Sequence, residues 1–381
     1  MTTNNEHKKL NAPNLRFPEF QGEWEEHYLS DYLDFKNGLN PKPDKFGKGI
    51  KFISVMDILN NAVITNDCIR ASVNVTEDEF QSFCVENGDI LFQRSSETLE
   101  DVGRANVYMD DKPAVFGGFV IRGKKKAEYN PLFFHYLLAS PFARKKIIRM
   151  GAGAQHFNIG QESLNKVKLH FTSLDEQKKI AKLLSLLDKR IATQHKVIDK
   201  LQSLIRGIAQ KVFKQGKPNT RLSDCLVCTS STLQESNVAE LGAYPVYGAN
   251  GIVGYLDTYN TISEAIYIIK DGSGVGTVSW VNGKCSATGT LNILQANDCF
   301  SLRYLYFMLK VFCFEPYKTG MAIPHIYFKD YGKAKIYCPS YELQNKYADL
   351  LSKIEQMATT EQKILDYLYS QKQYLLRQMF I

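Results

Sequence analysis

Three kinds of short motif contain residue types that could do chemistry. Cys225-x-x-Cys228 has the spacing of half a zinc site, but no second pair and no histidine partners follow at a similar spacing. The glycine-rich segment 272–276 follows a predicted strand, as in a nucleotide-binding loop, yet another strand comes next instead of a helix. We therefore expect a tight turn at these glycines and no bound metal at the cysteine pair.

The third kind is Glu-Gln-Lys, which occurs at residues 176–178 and 361–363 and is similar to the Glu-x-Lys of metal-dependent nucleases. Both copies lie on predicted helices, where the carboxylates would not converge on one Mg²⁺, so we expect exposed helix charge. The chain has neither a phosphate-binding Gly-x-x-x-x-Gly-Lys-Ser/Thr loop nor the Asn/Asp-Pro-Pro-Phe/Tyr motif of amino-methyltransferases. The sequence predicts a protein with no catalysis of its own.

Basic residues are concentrated in one part of the chain. The 381 residues carry a formal charge of +7, and residues 142–214 hold 16 Lys or Arg against 5 Asp or Glu. A local excess of this kind suits phosphate neutralisation, and it also suits a solvated helix face. With 44% hydrophobic residues the chain is expected to fold. We find no signal peptide or membrane span, so we expect a cytoplasmic protein whose eight cysteines are reduced.

The carboxyl-terminal part of the chain repeats an earlier segment. Residues 166–213 align with residues 333–380 at an offset of 167 without a gap, and 15 of the 48 pairs are identical. About three identities would be expected by chance. Weaker similarity lies upstream, where residues 29–31 match residues 222–224 and His156 corresponds to His325 in a glycine-rich approach. One module plus one long segment has therefore been used twice.

The repeated segment has the apolar spacing of a long helix. Its apolar residues recur every three or four positions, as in a coiled-coil seam. Ser173 and Glu176 fit a capping box, and about forty residues would span roughly 60 Å. Both copies interrupt the seam at the same place, with Gln194 and Glu361, where a polar pair would fix the register. The predicted seam residues are Ile180, Leu184, Leu187, Ile191, Ile198, Leu201 and Ile205 in the first copy, and Tyr347, Leu351, Ile354, Leu365, Leu368 and Leu375 in the second.

The segments before the two long helices have the pattern of mixed α/β modules. Asn-Gly turns and short β-branched runs alternate in both. The predicted strands are Ala62–Ile64, Asp89–Gln93, Val115–Ile121, Ala265–Lys270 and Gly276–Val281, and the predicted helices are Pro131–Arg149 and Ser301–Phe314.

In this order of elements the sequence resembles the specificity subunits of type I restriction-modification enzymes. Residues 15–24 are similar to the amino-terminal opening of that family, and residues 88–94 resemble its mid-module strand. Residues 244–255 are close to the opening of many second modules in the family. The likeness covers essentially the whole chain. Two departures, Leu343 at the position of the first copy's Glu176 and Lys372 on the seam, predict less regular packing of the second helix.

The resemblance implies a mixed α/β fold with two similar target-recognition domains separated by two long antiparallel coiled-coil helices, related by pseudo-twofold symmetry. It implies a flexible tail at 1–15, recognition domains at 16–172 and 216–339, and spacer helices at 173–215 and 340–381. Each domain would contact one half of a split DNA site. The implied partners are double-stranded DNA, two methyltransferase subunits that use S-adenosylmethionine, and two motor-nuclease subunits that use ATP and Mg²⁺.

Polar side chains that follow predicted strand ends have the chemistry needed for base edges and phosphates. For each one, a surface or turn role remains an alternative, and Lys124, Lys125 and Lys126 are expected to contact phosphate. The remaining candidates are Gln93, Arg94, Ser95, Ser96, Arg104 and Gln155 in the first module, and Tyr247, Asn250, Lys270, Asp271, Ser273 and His325 in the second. Two other functions stay open: a self-contained DNA methyltransferase or nuclease, and a coiled-coil scaffold without sequence-specific DNA binding.

Overall fold

The computed structural model describes residues 11–153 and 155–381. The chain divides into two compact units. Unit 1 comprises Met1–Thr193 and Ile364–Ile381, and unit 2 comprises Gln194–Lys363. Both units mix helices and strands around cores of their own, which confirms the predicted class of a mixed α/β protein with two similar domains.

Unit 1 is built on a four-stranded antiparallel sheet with the strand order β2-β10-β6-β8. A second sheet has the order β4-β3-β9-β5, and two small pairs, β1-β12 and β7-β11, complete the unit. The strands are β1 (Glu25–Tyr28), β2 (Leu33–Asn37), β3 (Phe46–Ile53), β4 (Ser72–Val73), β5 (Cys84–Val85), β6 (Ile90–Gln93), β7 (Ser95–Ser96), β8 (Ala105–Val107), β9 (Ala114–Phe116), β10 (Val120–Lys125), β11 (Phe157–Asn158) and β12 (Lys168–Phe171). The helices are α1 (Leu29–Tyr32), α2 (Val55–Asn60), α3 (Glu77–Phe83), α4 (Pro131–Ala139), α5 (Pro141–Ile148) and α6 (Gln161–Asn165), followed by the long helix α7 (Leu174–Gln215), which continues into unit 2.

Unit 2 repeats the antiparallel sheet in the order β14-β20-β17-β18. Its second sheet has only three strands, in the order β16-β15-β19, and the pair β13-β21 takes the place of β1-β12. The strands are β13 (Thr220–Arg221), β14 (Leu226–Ser230), β15 (Tyr244–Gly248), β16 (Gly251–Leu256), β17 (Ala265–Ile269), β18 (Val278–Val281), β19 (Ser286–Ala287), β20 (Leu291–Ala296) and β21 (Lys335–Ile336). The helices are α8 (Leu222–Cys225), α9 (Leu302–Val311), α10 (Phe328–Tyr331) and the long helix α11 (Tyr341–Gln378), which ends in unit 1.

In unit 2 the apolar stripes of the two long helices belong to one core, which contains Ile205 of α7 and Leu351 of α11. In unit 2, Gln194 near the middle of α7 donates a hydrogen bond to the carbonyl oxygen of Glu361 (3.0 Å) and another to its carboxylate. Further along α7, Gln215 accepts a hydrogen bond from the Tyr347 hydroxyl (2.9 Å), so these segments run antiparallel. All thirteen predicted seam residues are buried except Leu201 and Tyr347, which are half-buried.

Several predicted elements differ from the structure for local reasons. The predicted strand Ala62–Ile64 is wrong, because only Ile64 makes an isolated bridge, to Tyr108. The predicted strand Val115–Ile121 is two strands, β9 and β10, separated by a turn at Gly118 and Phe119. The predicted helix Pro131–Arg149 is also two elements, since Pro141 begins α5 and Ser140 caps it by accepting a hydrogen bond from the Ala143 N–H.

The predicted flexible tail lies partly outside the described residues, which begin at residue 11. Within the described part, the carbonyl oxygen of Asn11 accepts a hydrogen bond from the Trp24 N–H, and the Leu15 N–H donates to the carbonyl oxygen of Gln378 at the end of α11. Trp24 is fully buried and packs edge-on against Phe133 and Phe380. The described part of the tail, residues 11–15, is therefore hydrogen-bonded to unit 1, although most of its side chains are exposed.

Candidate nucleic-acid interface

Four of the candidate residues of unit 1 lie together where β6 ends. Backbone hydrogen bonds hold this exit on both sides: the Arg94 N–H donates to the Phe119 carbonyl oxygen, and the Ile159 N–H donates to the Arg94 carbonyl oxygen (2.9 Å each). Ser95 and Ser96 then pair with Asn158 and Phe157 as the short ladder β7-β11. The loop is thus held by strand pairing, as a contact surface of fixed shape requires.

The side chains at this exit have different surroundings. Gln93 is buried and donates its amide N–H to the Ser95 carbonyl oxygen (2.9 Å), so it positions the turn and does not reach the surface. Arg94 is half-buried, with its guanidinium 3.3 Å from the Gly118 carbonyl oxygen. Arg104 is exposed and pairs with Asp101 at 2.7 Å, and Gln155 is exposed.

The three lysines expected to contact phosphate lie at the other end of the same ladder. In the register of β10 with β6, Val120 faces Gln93 and Gly123 faces Ile90, so Lys124 lies beyond the beginning of β6. Its ammonium group pairs with Glu86 at 3.3 Å, and that of Lys125 pairs with Glu128 at 3.4 Å. Lys126 is exposed. The candidates of unit 1 therefore form two separate groups.

In unit 2, four candidates come together where β17 ends. The Lys270 N–H donates to the Thr290 carbonyl oxygen, and the Ile326 N–H donates to the Lys270 carbonyl oxygen (2.9 Å each). Nδ1 of His325 lies 2.6 Å from a carboxylate oxygen of Asp271, and both side chains are about one-third exposed. Ser273 is exposed in the following turn, which joins the antiparallel strands β17 and β18. The expected tight turn at these glycines is confirmed.

The other two candidates of unit 2 belong to its second sheet. Asn250 is exposed at the tip of the β15-β16 hairpin. Tyr247 is half-buried on β15, and its ring packs edge-on against Tyr267 with ring centres 5.9 Å apart. Burial raises the pKa of the Tyr247 hydroxyl, which stays protonated and able to donate a hydrogen bond at neutral pH.

Two surface residues at the β6 exit were not predicted. Phe119, directly before β10, is 68% exposed, which is unusual for so large an apolar ring. Asn158 is exposed and bridges to Ser95 and to Ala152, as His325 bridges to Asp271 and to Thr319. The proposed correspondence of His156 with His325 is therefore wrong, because the residue in the equivalent bridge is Asn158. Extending the constant offset of 167 upstream of the aligned helices would have identified it.

A buried glutamine at the start of each long helix positions the module beside it. Gln177 donates to the Thr172 carbonyl oxygen (2.8 Å) and accepts from the N–H of Asn130, the residue that caps α4. Gln344 makes the equivalent bonds in unit 2, to the Pro339 carbonyl oxygen (2.9 Å) and from the N–H of Ser301, which caps α9. The same amide thus joins two helix starts in each unit.

The expectation of exposed helix charge is wrong for Glu176. Its side chain is fully buried and forms a bidentate pair with Arg16, at 2.8 and 2.7 Å, while the Thr172 hydroxyl donates a third hydrogen bond. Glu361 is half-buried against Gln194. Local spacing could not show these partners, because Arg16 precedes Glu176 by 160 residues.

The cysteines of the Cys-x-x-Cys pair contact different groups. The Cys225 sulfur lies 3.7 Å from the Cys338 sulfur inside the unit 2 core, whereas Cys228 faces the carbonyl oxygen of Thr229. No cluster of three potential metal ligands occurs in residues 11–153 and 155–381. Within those same ranges, no helix is long and apolar enough to cross a membrane.

Each of the two strand exits, after β6 and after β17, can donate and accept hydrogen bonds from a backbone of fixed shape. Each exit combines one basic residue, Arg94 or Lys270, with polar side chains on an adjacent bridge. Such mixtures suit contacts to base edges and to phosphates.

The comparisons with known proteins agree on one family. The family model described as type I restriction modification DNA specificity domain matches residues 21–203 and 221–368. A putative type I restriction enzyme MjaX specificity subunit from Methanocaldococcus jannaschii is 26% identical over 215 residues, which cover 55% of this chain and 50% of that protein. The chain thus spans about half the length of that curated relative.

Two solved structures share the fold. The specificity subunit of a type I restriction-modification system from M. genitalium superposes with a TM-score of 0.64 at 19% identity, covering 97% of this chain and 99% of that one. A chain from a structural study of complex assembly and conformational transition in the type I R-M system has a TM-score of 0.56 at 14% identity, covering 93% and 96%. Both carry the fold that the sequence predicted.

Proposed function

The chain belongs to the family of type I restriction modification DNA specificity domains, and from this premise we propose that it binds a split DNA target, one half-site to each unit. The observation that carries the proposal is the repetition of one exit. The corresponding strands are β6 in unit 1 and β17 in unit 2. Each is followed by a basic residue, a bridged pair of polar residues and exposed turn residues. Two such surfaces in one chain suit two separate contacts on a duplex.

The long helices would set the distance between the two contacts. Their polar seam pair, Gln194 with Glu361, restricts the helices to one register, and each long helix runs through both units without a break. Because an α-helix rises about 1.5 Å per residue, the number of helical residues would determine the unread gap between half-sites.

Catalysis would belong to partner subunits. The relatives are named as specificity subunits, the non-catalytic components of type I systems. Under this proposal, two methyltransferase subunits bring S-adenosylmethionine for adenine methylation, and two motor-nuclease subunits bring ATP and Mg²⁺ for restriction. The complex would act on DNA in the cytoplasm.

The test is to sequence methylated sites in host DNA with and without this gene. We expect adenine methylation at one split motif only when the gene is present. A host without any gene-dependent motif would refute the proposal and favour a protein-binding scaffold. Purified chain that methylates DNA with labelled S-adenosylmethionine, or cuts it with Mg²⁺, without partners would identify an enzyme instead.

A further inference from the structure

One bridge has the same backbone in both units and different side chains. In unit 1 it joins Ser95 to Asn158, and in unit 2 it joins Asp271 to His325. Asn158 and His325 are 167 positions apart, the offset of the helical repeat. The backbone before each bridge is also alike, because Arg94 and Lys270 make equivalent backbone hydrogen bonds, each to the residue before a neighbouring strand and to the residue after the bridge.

A glycine stands at the equivalent position beside each bridge. Gly153 and Gly320, again 167 positions apart, have φ of +138° and +87°. A Cβ at Gly153 would lie 2.0 Å from the carbonyl oxygen of His156, and a Cβ at Gly320 would lie 2.3 Å from that of Ile323. Only glycine fits each of these two positions. The units therefore present different side chains from equivalent places.

The free hydrogen-bonding groups of the two pairs differ in kind. The Ser95 hydroxyl lies 2.5 Å from Oδ1 of Asn158, whose Nδ2 also donates to the His156 carbonyl oxygen (3.3 Å). One N–H and one oxygen lone pair of the Asn158 amide remain, which is what a bidentate contact to adenine uses. In unit 2, Asp271 accepts from Nδ1 of His325, and Nε2 of the ring and the second carboxylate oxygen remain.

We propose that the Ser95–Asn158 and Asp271–His325 pairs determine specificity, each selecting one base pair in its own half-site. This inference rests on the proposed function. In unit 1 the amide suits adenine, which offers a donor and an acceptor in the major groove. In unit 2 the second carboxylate oxygen of Asp271 is an acceptor, and it suits a base with an exocyclic amino group, cytosine or adenine.

The test transfers the unit 2 pair into unit 1. The double variant Ser95→Asp/Asn158→His is expressed in the host together with its methyltransferase partners, and its methylated motif is sequenced. We expect the base preference to change at one position of one half-site, with the original base disfavoured roughly tenfold or more, and the other half-site unchanged. The control is Asn87→His, an exposed asparagine in the turn before β6, which should leave the motif unchanged.

The outcomes separate this inference from the proposed function. A double variant that methylates the wild-type motif unchanged overturns the inference while the function stands. A wild-type chain that directs no motif refutes the function itself. If the double variant loses all methylation, the isosteric variant Asn158→Asp is tested instead. Loss of the amide N–H should reduce the base preference at that one position of the motif. An unaltered motif with this variant overturns the inference.

Discussion

The two units share a frame but differ in how their long helices begin. In unit 1, Glu176 is buried beside Gln177 and is held by Arg16 from the amino-terminal segment. In unit 2 the equivalent residue is Leu343, which is half-buried, beside the equivalent Gln344. Both units keep the glutamine that joins two helix starts. The comparison shows that both units use a buried glutamine to connect the module to the long helix, whereas only unit 1 adds the Arg16–Glu176 ion pair beside it.

The contact between the short helix α1 or α8 and the segment before the long helix also differs between the units. Between α1 and β12, Tyr32 stacks on Phe171 with ring centres 4.2 Å apart. In unit 2 the matching positions are Cys225 and Cys338, with their sulfur atoms 3.7 Å apart. An aromatic stack and a pair of thiols thus fill equivalent places, so the order of strands does not depend on particular core side chains.

The largest expected effect comes from breaking the ion pair of unit 1 between the buried Glu176 and the partly buried Arg16. Glu176→Leu copies the unit 2 residue but leaves the Arg16 guanidinium without its partner, so we expect unit 1 to lose about 3 kcal/mol of stability. Trp24 and Trp280 are the two tryptophans of the chain, one in each unit, so a Trp280→Phe background makes fluorescence report urea unfolding of unit 1 alone.

The matched control is the double variant Arg16→Leu/Glu176→Leu, which removes both charges. It should recover most of the lost stability, because replacing a whole buried pair by apolar residues costs little. Equal losses in the single and the double variant would show that Glu176 acts through packing and not through its charge.

A pH effect should be next in size and should also belong to unit 1. Burial and the nearby Lys372 ammonium lower the pKa of His135 on α4 to about 4. The ring is neutral in the folded protein and takes up a proton more readily in the unfolded chain. Its contribution to the free energy of unfolding is therefore complete above about pH 6.5 and is lost as the pH falls towards 4. The loss is at most about 3 kcal/mol. We expect His135→Leu to reduce the pH dependence of the free energy of unfolding of unit 1 between pH 7 and pH 4.5. An unchanged pH dependence would contradict this assignment.

Removing the shared glutamines should give smaller and equal effects in the two units. Gln177→Leu and Gln344→Leu each leave a buried N–H and a buried carbonyl oxygen without partners, which costs about 2 kcal/mol. Each variant is followed through the tryptophan of its own unit, with Trp24→Phe as the background for unit 2. A loss in one unit alone would show that the two joints are not equivalent.

The smallest effect is expected at the polar seam pair. Replacing Gln194 and Glu361 together by leucine should change stability by less than about 1 kcal/mol, because an apolar pair suits the seam at least as well. The single variant Gln194→Leu should be the less stable of the two, since it leaves the Glu361 carboxylate half-buried without its partner. The reverse order in thermal unfolding would remove the argument that this pair fixes the register.

Sequence periodicity and repetition predicted the long helices and the pairing of their seams, because both depend on spacing along one helix. The buried pair of Arg16 with Glu176 could not be predicted, since its partners are distant in sequence and meet only after folding. The candidate residues were chosen for their polar chemistry near predicted strand ends, and the structure brings Lys270, Asp271 and His325 together where β17 ends. The same rule could not separate Lys124 from Arg94, because strand register decides at which end of a ladder a residue lies.

The central claim, two DNA contacts at a spacing set by the helices, is tested most directly by lengthening both helices. Four residues inserted after Ala192 in α7 and four after Thr359 in α11 add about one turn, roughly 6 Å, at positions that are equivalent in the repeat. In host DNA the methylated motif should keep both half-sites and gain one or two unread base pairs between them. A motif with altered half-sites, or with the original gap, would contradict the account.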